Sequence, residues 1–233
     1  MIFRPLFTLA LLVATPAVAA PPTPAERTMI ATVDAEQART LALLERAVNQ
    51  NSGTRNLAGV KAVHEIFAPE FAALEFAVRW IPQEAVGRAG HLIATHKGKS
   101  GRKRLLLIGH LDTVFEPDSG FLKFERIDPG HARGPGVADD KGGDVTMIAA
   151  LRAMAKAGTL KNANIEVVLT GDEEEAGLPL DIARADLVAA GRRADAALDF
   201  EGLARDGGRD MGSVARRSAG NWTVSVRDRK SVV

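Results

Sequence analysis

Apolar residues run unbroken from Leu105 through Ile108 and give way at once to Gly109-His110-Leu111-Asp112. Such a run, entered from the basic Arg102-Lys103-Arg104, predicts a strand covered on both faces. Two later stretches have the same form. Residues 165–170 are mostly apolar and end in Gly171-Asp172-Glu173-Glu174-Glu175, and Ala196-Ala197-Leu198 ends in Asp199-Phe200-Glu201. Between the first two, residues 141–156 show helical spacing, with Val145, Ile148, Ala149 and Leu151 inward. Alternation of strand and helix across 105–201 predicts an α/β fold: a mixed, mostly parallel sheet with helices on both faces.

The rest of the pattern is more ordinary. Residues 25–49 read as one amphipathic helix, and 54–67 as a second with Leu57, Val60, Val63 and Phe67 on one stripe. Beside that stripe, His64 reads as a structural histidine. Residues 71–81 and 91–96 read as strands. His91 and His96 are five apart on the latter, so they face opposite sides and do not share a metal. A short strand is expected at 121–127, a loop around an exposed His131, and a helix at 180–190. Residues 205–209 read as a turn whose Gly207-Gly208 is only a weak phosphate cradle. Short strands are expected at 211–216 and 222–226.

Composition narrows the chemistry. The chain has 233 residues, 46% of them hydrophobic, which is enough for one sizeable core. Lys+Arg number 30 against 29 Asp+Glu, so no basic face is implied and nucleic acid is not an expected partner. The absence of cysteine excludes thiolate ligands, a cysteine nucleophile and disulfides. Residues 1–20 fit a secretory signal, with Arg4 before a short apolar stretch and small residues at Ala17, Ala19 and Ala20. A periplasmic or secreted protein is expected, with no membrane association after cleavage.

Charge placement is the strongest functional signal. Three apolar runs each discharge His, Asp or Glu at their carboxyl ends, where open α/β sheets place ligands. His110 and Asp112 point the same way on an extended chain, so the carboxylate can orient the imidazole as a metal ligand. Asp139-Asp140 adds acids in a Gly-rich turn before the helix. One histidine with several carboxylates suits a divalent metal. The alternative is that these are strand ends with solvated polar residues.

With those residues in view, the chain resembles the di-zinc exopeptidase and deacylase family of glutamate carboxypeptidase, aminoacylase, acetylornithine deacetylase and succinyl-diaminopimelate desuccinylase. The resemblance covers about residues 28–227. It rests on His110-Leu111-Asp112-Thr113-Val114, on the segment from Gly134 to Gly143, on Asp172-Glu173-Glu174 and on Phe200-Glu201. It implies a zinc exopeptidase-like catalytic domain over 21–217 and the start of an inserted α+β lid domain over 218–233.

The resemblance also implies roles. Asp139 would bridge two Zn2+ ions and be followed by a cis peptide bond to Asp140. His110 and Glu201 would complete one zinc site, and Glu174 would join Asp139 at the other. Asp112 would hold the far nitrogen of His110. Glu173 would act as general base, taking a proton from the attacking water. The implied reaction is hydrolysis of a small peptide or N-acyl amino acid, by a homodimer when full length. The alternative function is a non-catalytic periplasmic metal- or peptide-binding protein on the same scaffold.

The family's last zinc-ligand histidine has no counterpart, since no histidine follows His131. Residues 221–226 look like the lid's first strand, and the closing residues 227–233 do not continue the family pattern. The expectation is an N-terminal fragment, with three protein ligands at one zinc site and two at the other.

Overall fold

A computed structural model describes residues 20–214 and Ser225. The expected signal segment, apart from Ala20, and the expected lid strand, apart from Ser225, lie outside the described residues. So do residues 215–216 of the strand expected at 211–216, and of its described residues only Met211 is strand, while 212–214 are not. Among the described residues no helix is long and apolar enough to cross a membrane.

The centre of the molecule is a five-stranded sheet. Its strands are β1 (Ala77–Gln83), β2 (Arg88–His96), β3 (Arg104–His110), β6 (Asn164–Thr170) and β7 (Ala196–Asp199), in the order β1-β2-β6-β3-β7. The sheet is mixed, as the sequence pattern implies. It is evenly divided rather than mostly parallel: β3 runs parallel to β6 and β7, while β2 runs antiparallel to β1 and β6. The parallel block is the one that bears the charged ends. Register aligns His110 with Thr170 and Ile108 with Asp199, so the three strands end at one edge.

Both faces of the inner strands β2, β6 and β3 are covered, which explains their apolar runs, whereas the edge strand β7 is exposed along its length. Leu92, Ala94, Leu107, Val167 and Leu169 face one way. They pack with α2 (Gln37–Asn49), α3 (Leu57–Ala72) and α4 (Lys141–Lys156), through Leu43 and Ala47, Val60, Phe67 and Phe71, and Val145, Ile148 and Leu151. Their alternates, Ile93, Leu106 and Val168, face the other way and meet Ala190 of α6 (Ala185–Arg193). His91 and His96 divide between the faces as expected. His91 Nε2 reaches Ala183 O at 3.0 Å, and His96 stacks on Phe76.

Several local expectations change. The single helix over 25–49 is two: α1 (Pro24–Ala35) starts on a Thr23 capping box, and the chain bends at Glu36 before α2. Residues 71 and 72 belong to α3, because Val63, Phe67 and Phe71 recur every four residues on a buried stripe. The helix at 180–190 is broken at Arg184 into α5 (Leu180–Ala183) and α6. The strand expected at 121–127 is β4 (Glu125–Asp128), paired with β5 (His131–Arg133). Gly207-Gly208 is the tip of a hairpin between β8 (Ala204–Asp206) and β9 (Arg209–Met211). Both glycines have positive φ, which a two-residue hairpin loop requires.

Candidate metal centre and active site

His110 is the last residue of β3 and is 1% exposed. Its Nε2 lies 2.8 Å from Asp139 Oδ1. Its Nδ1 lies 3.1 Å from the carbonyl oxygen of Asp112 and 3.4 Å from Asp112 Oδ1. Glu201, just beyond β7, brings a carboxylate to the same place. One donor atom from each of His110, Asp139 and Glu201 lies within 4.8 Å of the other two. Ligands of one zinc stand at about 2.0–2.2 Å from it, hence at most about 4.4 Å apart. The trio therefore fits a divalent ion after a small contraction, and Asp139 keeps a second oxygen for a neighbouring one. The peptide bond between Asp139 and Asp140 is cis, as the resemblance implied.

Glu173 and Glu174 follow β6 at the same edge. Glu174 stands outside the trio. Partial burial raises its pKa, and the Asp139 charge raises it further. Glu201 is raised by burial first and then by the charge of Glu173. Glu173 itself is exposed. Four carboxylates and one imidazole, from four separate stretches of the chain, thus gather at one end of the parallel block, with His110, Asp139 and Glu201 in closest approach.

Asp112 does more than the sequence suggested. It is fully buried, and beside His110 it accepts hydrogen bonds from Thr54 Oγ1 at 2.7 Å and from the Glu173 and Glu174 N–H groups at 3.0 and 3.2 Å. Burial alone would raise its pKa, but the bonds from His110 and Thr54 outweigh burial and hold it below the ordinary carboxylate value. For His110, burial works against the charged form. Asp112 and the nearby acids outweigh it and push the imidazole up to about 10 in the metal-free protein.

Sequence reasoning missed an inner layer beneath this edge. Asp144 is fully buried on the inner stripe of α4, and neither of its oxygens has a hydrogen-bond partner among the described residues. Burial raises its pKa well above the ordinary value, and Asp140 beside it is pushed up to about 7, also by burial first. Lys141, also fully buried, donates to Gln50 O at 2.9 Å and is pulled down to about 7 by burial. Gly109 admits this pair: a Cβ there would lie 2.3 Å from Asp144 Oδ1 and 2.8 Å from Asp140 Oδ2. The signal in the sequence was a charged residue three, four and seven positions before Met147, Ile148 and Leu151, on a stripe that should be apolar.

The comparisons with known proteins agree with this geometry. Residues 106–215 match the family model described as Peptidase family M20/M25/M40. Carboxypeptidase G2 of Pseudomonas sp. (strain RS-16) is 31% identical to it over 140 residues, which is 60% of this chain and 34% of that protein. Two solved structures share the fold. The di-peptidase Dug1p of Saccharomyces cerevisiae has TM-score 0.63 and 17% identity, over 74% of this chain and 40% of its own. Human carnosine dipeptidase 1 has TM-score 0.62 and 20% identity, over 76% and 41%. The chain spans about a third of the length of the M20 relative and about two fifths of these two structures. The M20 match contains His110, Asp139, Glu173, Glu174 and Glu201, the residues that the fold brings to one edge.

Proposed function

We propose that this chain is catalytic-domain sequence of a metal-dependent hydrolase that cleaves a peptide or N-acyl amino acid amide bond, in the manner of a carboxypeptidase or deacylase. The observation that carries the reading is the convergence of His110, Asp139 and Glu201 donors within 4.8 Å, with Glu173 at the same edge. Zn2+ is the ion that the donor set suits. When bound, it lowers the pKa of a coordinated water and polarises a carbonyl. His110, Asp139 and Glu201 would hold one ion, and Asp139 with Glu174 would offer a second position.

The protein's own groups do the rest. Glu173 is an exposed carboxylate at this edge, its charge felt by Glu201, so it takes the proton from the attacking water and returns it to the leaving amine. Asp112 keeps His110 oriented and ties down the two residues on which Glu173 and Glu174 stand. Export by the leader-like residues 1–20 and pairing into a homodimer belong to the same proposal.

The test is hydrolysis of a panel of dipeptides and N-acyl amino acids by the intact protein. Activity should be lost on chelation and restored by zinc. Tight zinc binding with no hydrolysis across the panel would favour a binding protein instead.

A further inference from the structure

The turn after β6 is held on every side. The Gly171 N–H donates to His91 Nδ1 at 3.2 Å, and the Gly177 N–H donates to Asp172 Oδ2 at 2.8 Å. Asp172 is fully buried. Its other carboxylate oxygen accepts from Arg184 Nη1, while Arg184 Nη2 donates to the Asp172 carbonyl at 3.0 Å. One guanidinium therefore grips both the side chain and the backbone of the residue before Glu173.

This second grip matters because of where it falls. The peptide group joining Asp172 to Glu173 has its carbonyl held by Arg184 and its N–H held by Asp112 Oδ1 at 3.0 Å. With this plane held at both ends and the next peptide's N–H held by Asp112 Oδ2 at 3.2 Å, the backbone on either side of Glu173 is restrained, which limits the directions its side chain can take. Arg184 is placed for this by the break between α5 and α6, where it is neither inside nor past a helix. Two other arginines near the turn hold Glu175 instead, beyond the catalytic pair. Arg55 meets its carboxylate with both partners well exposed, and the largely buried Arg88 donates to its carbonyl at 2.7 Å and meets its carboxylate at 3.2 Å.

We propose that Arg184, acting through Asp172, is a positioning residue for Glu173. It holds the 172–173 peptide so that the base faces the metal trio while Glu174 faces Asp139. The proposal rests on the reading of Glu173 as the base. A displacement of the order of 1 Å at a catalytic group costs about 10²-fold in rate. Arg184→Met, which keeps bulk and loses every donor, should therefore lower kcat by about 10²-fold in the intact, zinc-loaded protein. KM and zinc content should stay near wild type, because neither metal ligands nor substrate contacts change.

Two readouts separate positioning from folding. Arg184→Lys, with one ammonium for two acceptors, should recover part of the loss, and guanidinium ion at non-denaturing concentration should restore part of kcat in Arg184→Ala. Amide exchange in Arg184→Met should quicken at Glu173, Glu174 and Gly177 and stay unchanged in β3 and β6. Wild-type kcat in Arg184→Met overturns the proposal. So does a loss of kcat that neither lysine nor guanidinium recovers and that accompanies a uniform loss of protection. A wild type inert towards every amide substrate overturns the hydrolase reading and this role with it. A hydrolytic wild type with an unaffected Arg184→Met overturns this role alone.

Discussion

Replacing Asp112 by alanine and by asparagine should give two well-separated stabilities in the metal-free protein. Alanine orphans Thr54 Oγ1–H and the N–H groups of Glu173 and Glu174, and leaves His110 without its buried counter-charge. A buried unsatisfied donor costs about 1–3 kcal/mol, and the lower value suits the two half-buried N–H groups. The sum is roughly 3–5 kcal/mol, a large part of a typical total of about 5–15 kcal/mol.

Asparagine keeps the shape and one acceptor. With its oxygen in the Oδ1 position it still receives Glu173 N–H and faces His110. Its NH2 then takes the Oδ2 position, where the Thr54 hydroxyl can rotate to accept from it. Only Glu174 N–H loses its partner, a cost of about 1–2 kcal/mol. Urea unfolding followed by circular dichroism measures both, and the m-value should not change. The Asp112 pKa is held down in the folded state, so its stabilisation is present above about pH 4 and is lost as pH falls through the folded value. Both variants should lack that acid-side loss. If the two differ by less than about 0.5 kcal/mol, or if alanine is the milder, Asp112 does not carry these bonds in solution.

Three further outcomes follow from the same edge. Glu173→Gln in the intact protein should keep its metal and lose about 10²–10⁴-fold in rate, and unchanged turnover would reject Glu173 as the base. His110 is raised to about 10 without metal, so at pH 7 zinc should displace its proton. Calorimetry in two buffers of different ionisation enthalpy should then show net proton release, and none would mean that His110 is not displaced. The raised pKa of Asp144 makes its contribution complete below about pH 4, with loss as pH rises towards the folded value. Asp144→Asn should flatten that decline by up to about 1.4 kcal/mol per pH unit, and an unchanged slope would place the titration elsewhere.

The parallel block was legible in the sequence because β3 and β6, buried on both faces, leave long apolar runs that end in charged residues, while the exposed edge strand β7 showed itself only by the short Ala196-Ala197-Leu198 run before its acids. His110, Asp139, Glu173, Glu174 and Glu201 could be named from those ends and from the family motifs, and the fold gathers them. Other features needed the third dimension. The break at Glu36 is invisible in the sequence, because α1 buries no residue and so leaves no apolar stripe whose interruption could mark it. Phe71 looked like strand because its helical partners Phe67 and Val63 lie behind it in a stripe already assigned to another element. The even split between parallel and antiparallel pairs depends on β2 entering beside β6, which no local pattern encodes. Asp144 and Lys141 were hidden for the opposite reason, since charged side chains beside a Gly-rich turn read as solvated until packing buries them. Arg184 showed no signal beyond a charge within an expected helix.

The central claim is that His110, Asp139 and Glu201 form one metal centre. Zinc K-edge X-ray absorption on the zinc-loaded 233-residue chain tests it directly. Firm binding should saturate at no more than one zinc per chain, since Asp139 with Glu174 alone makes a poor second site. The spectrum should show a single imidazole among oxygen donors at about 2.0–2.2 Å, and the imidazole signature should vanish in His110→Ala. A spectrum with two or more imidazoles, or one unchanged by His110→Ala, would mean that the metal sits elsewhere and would contradict the account.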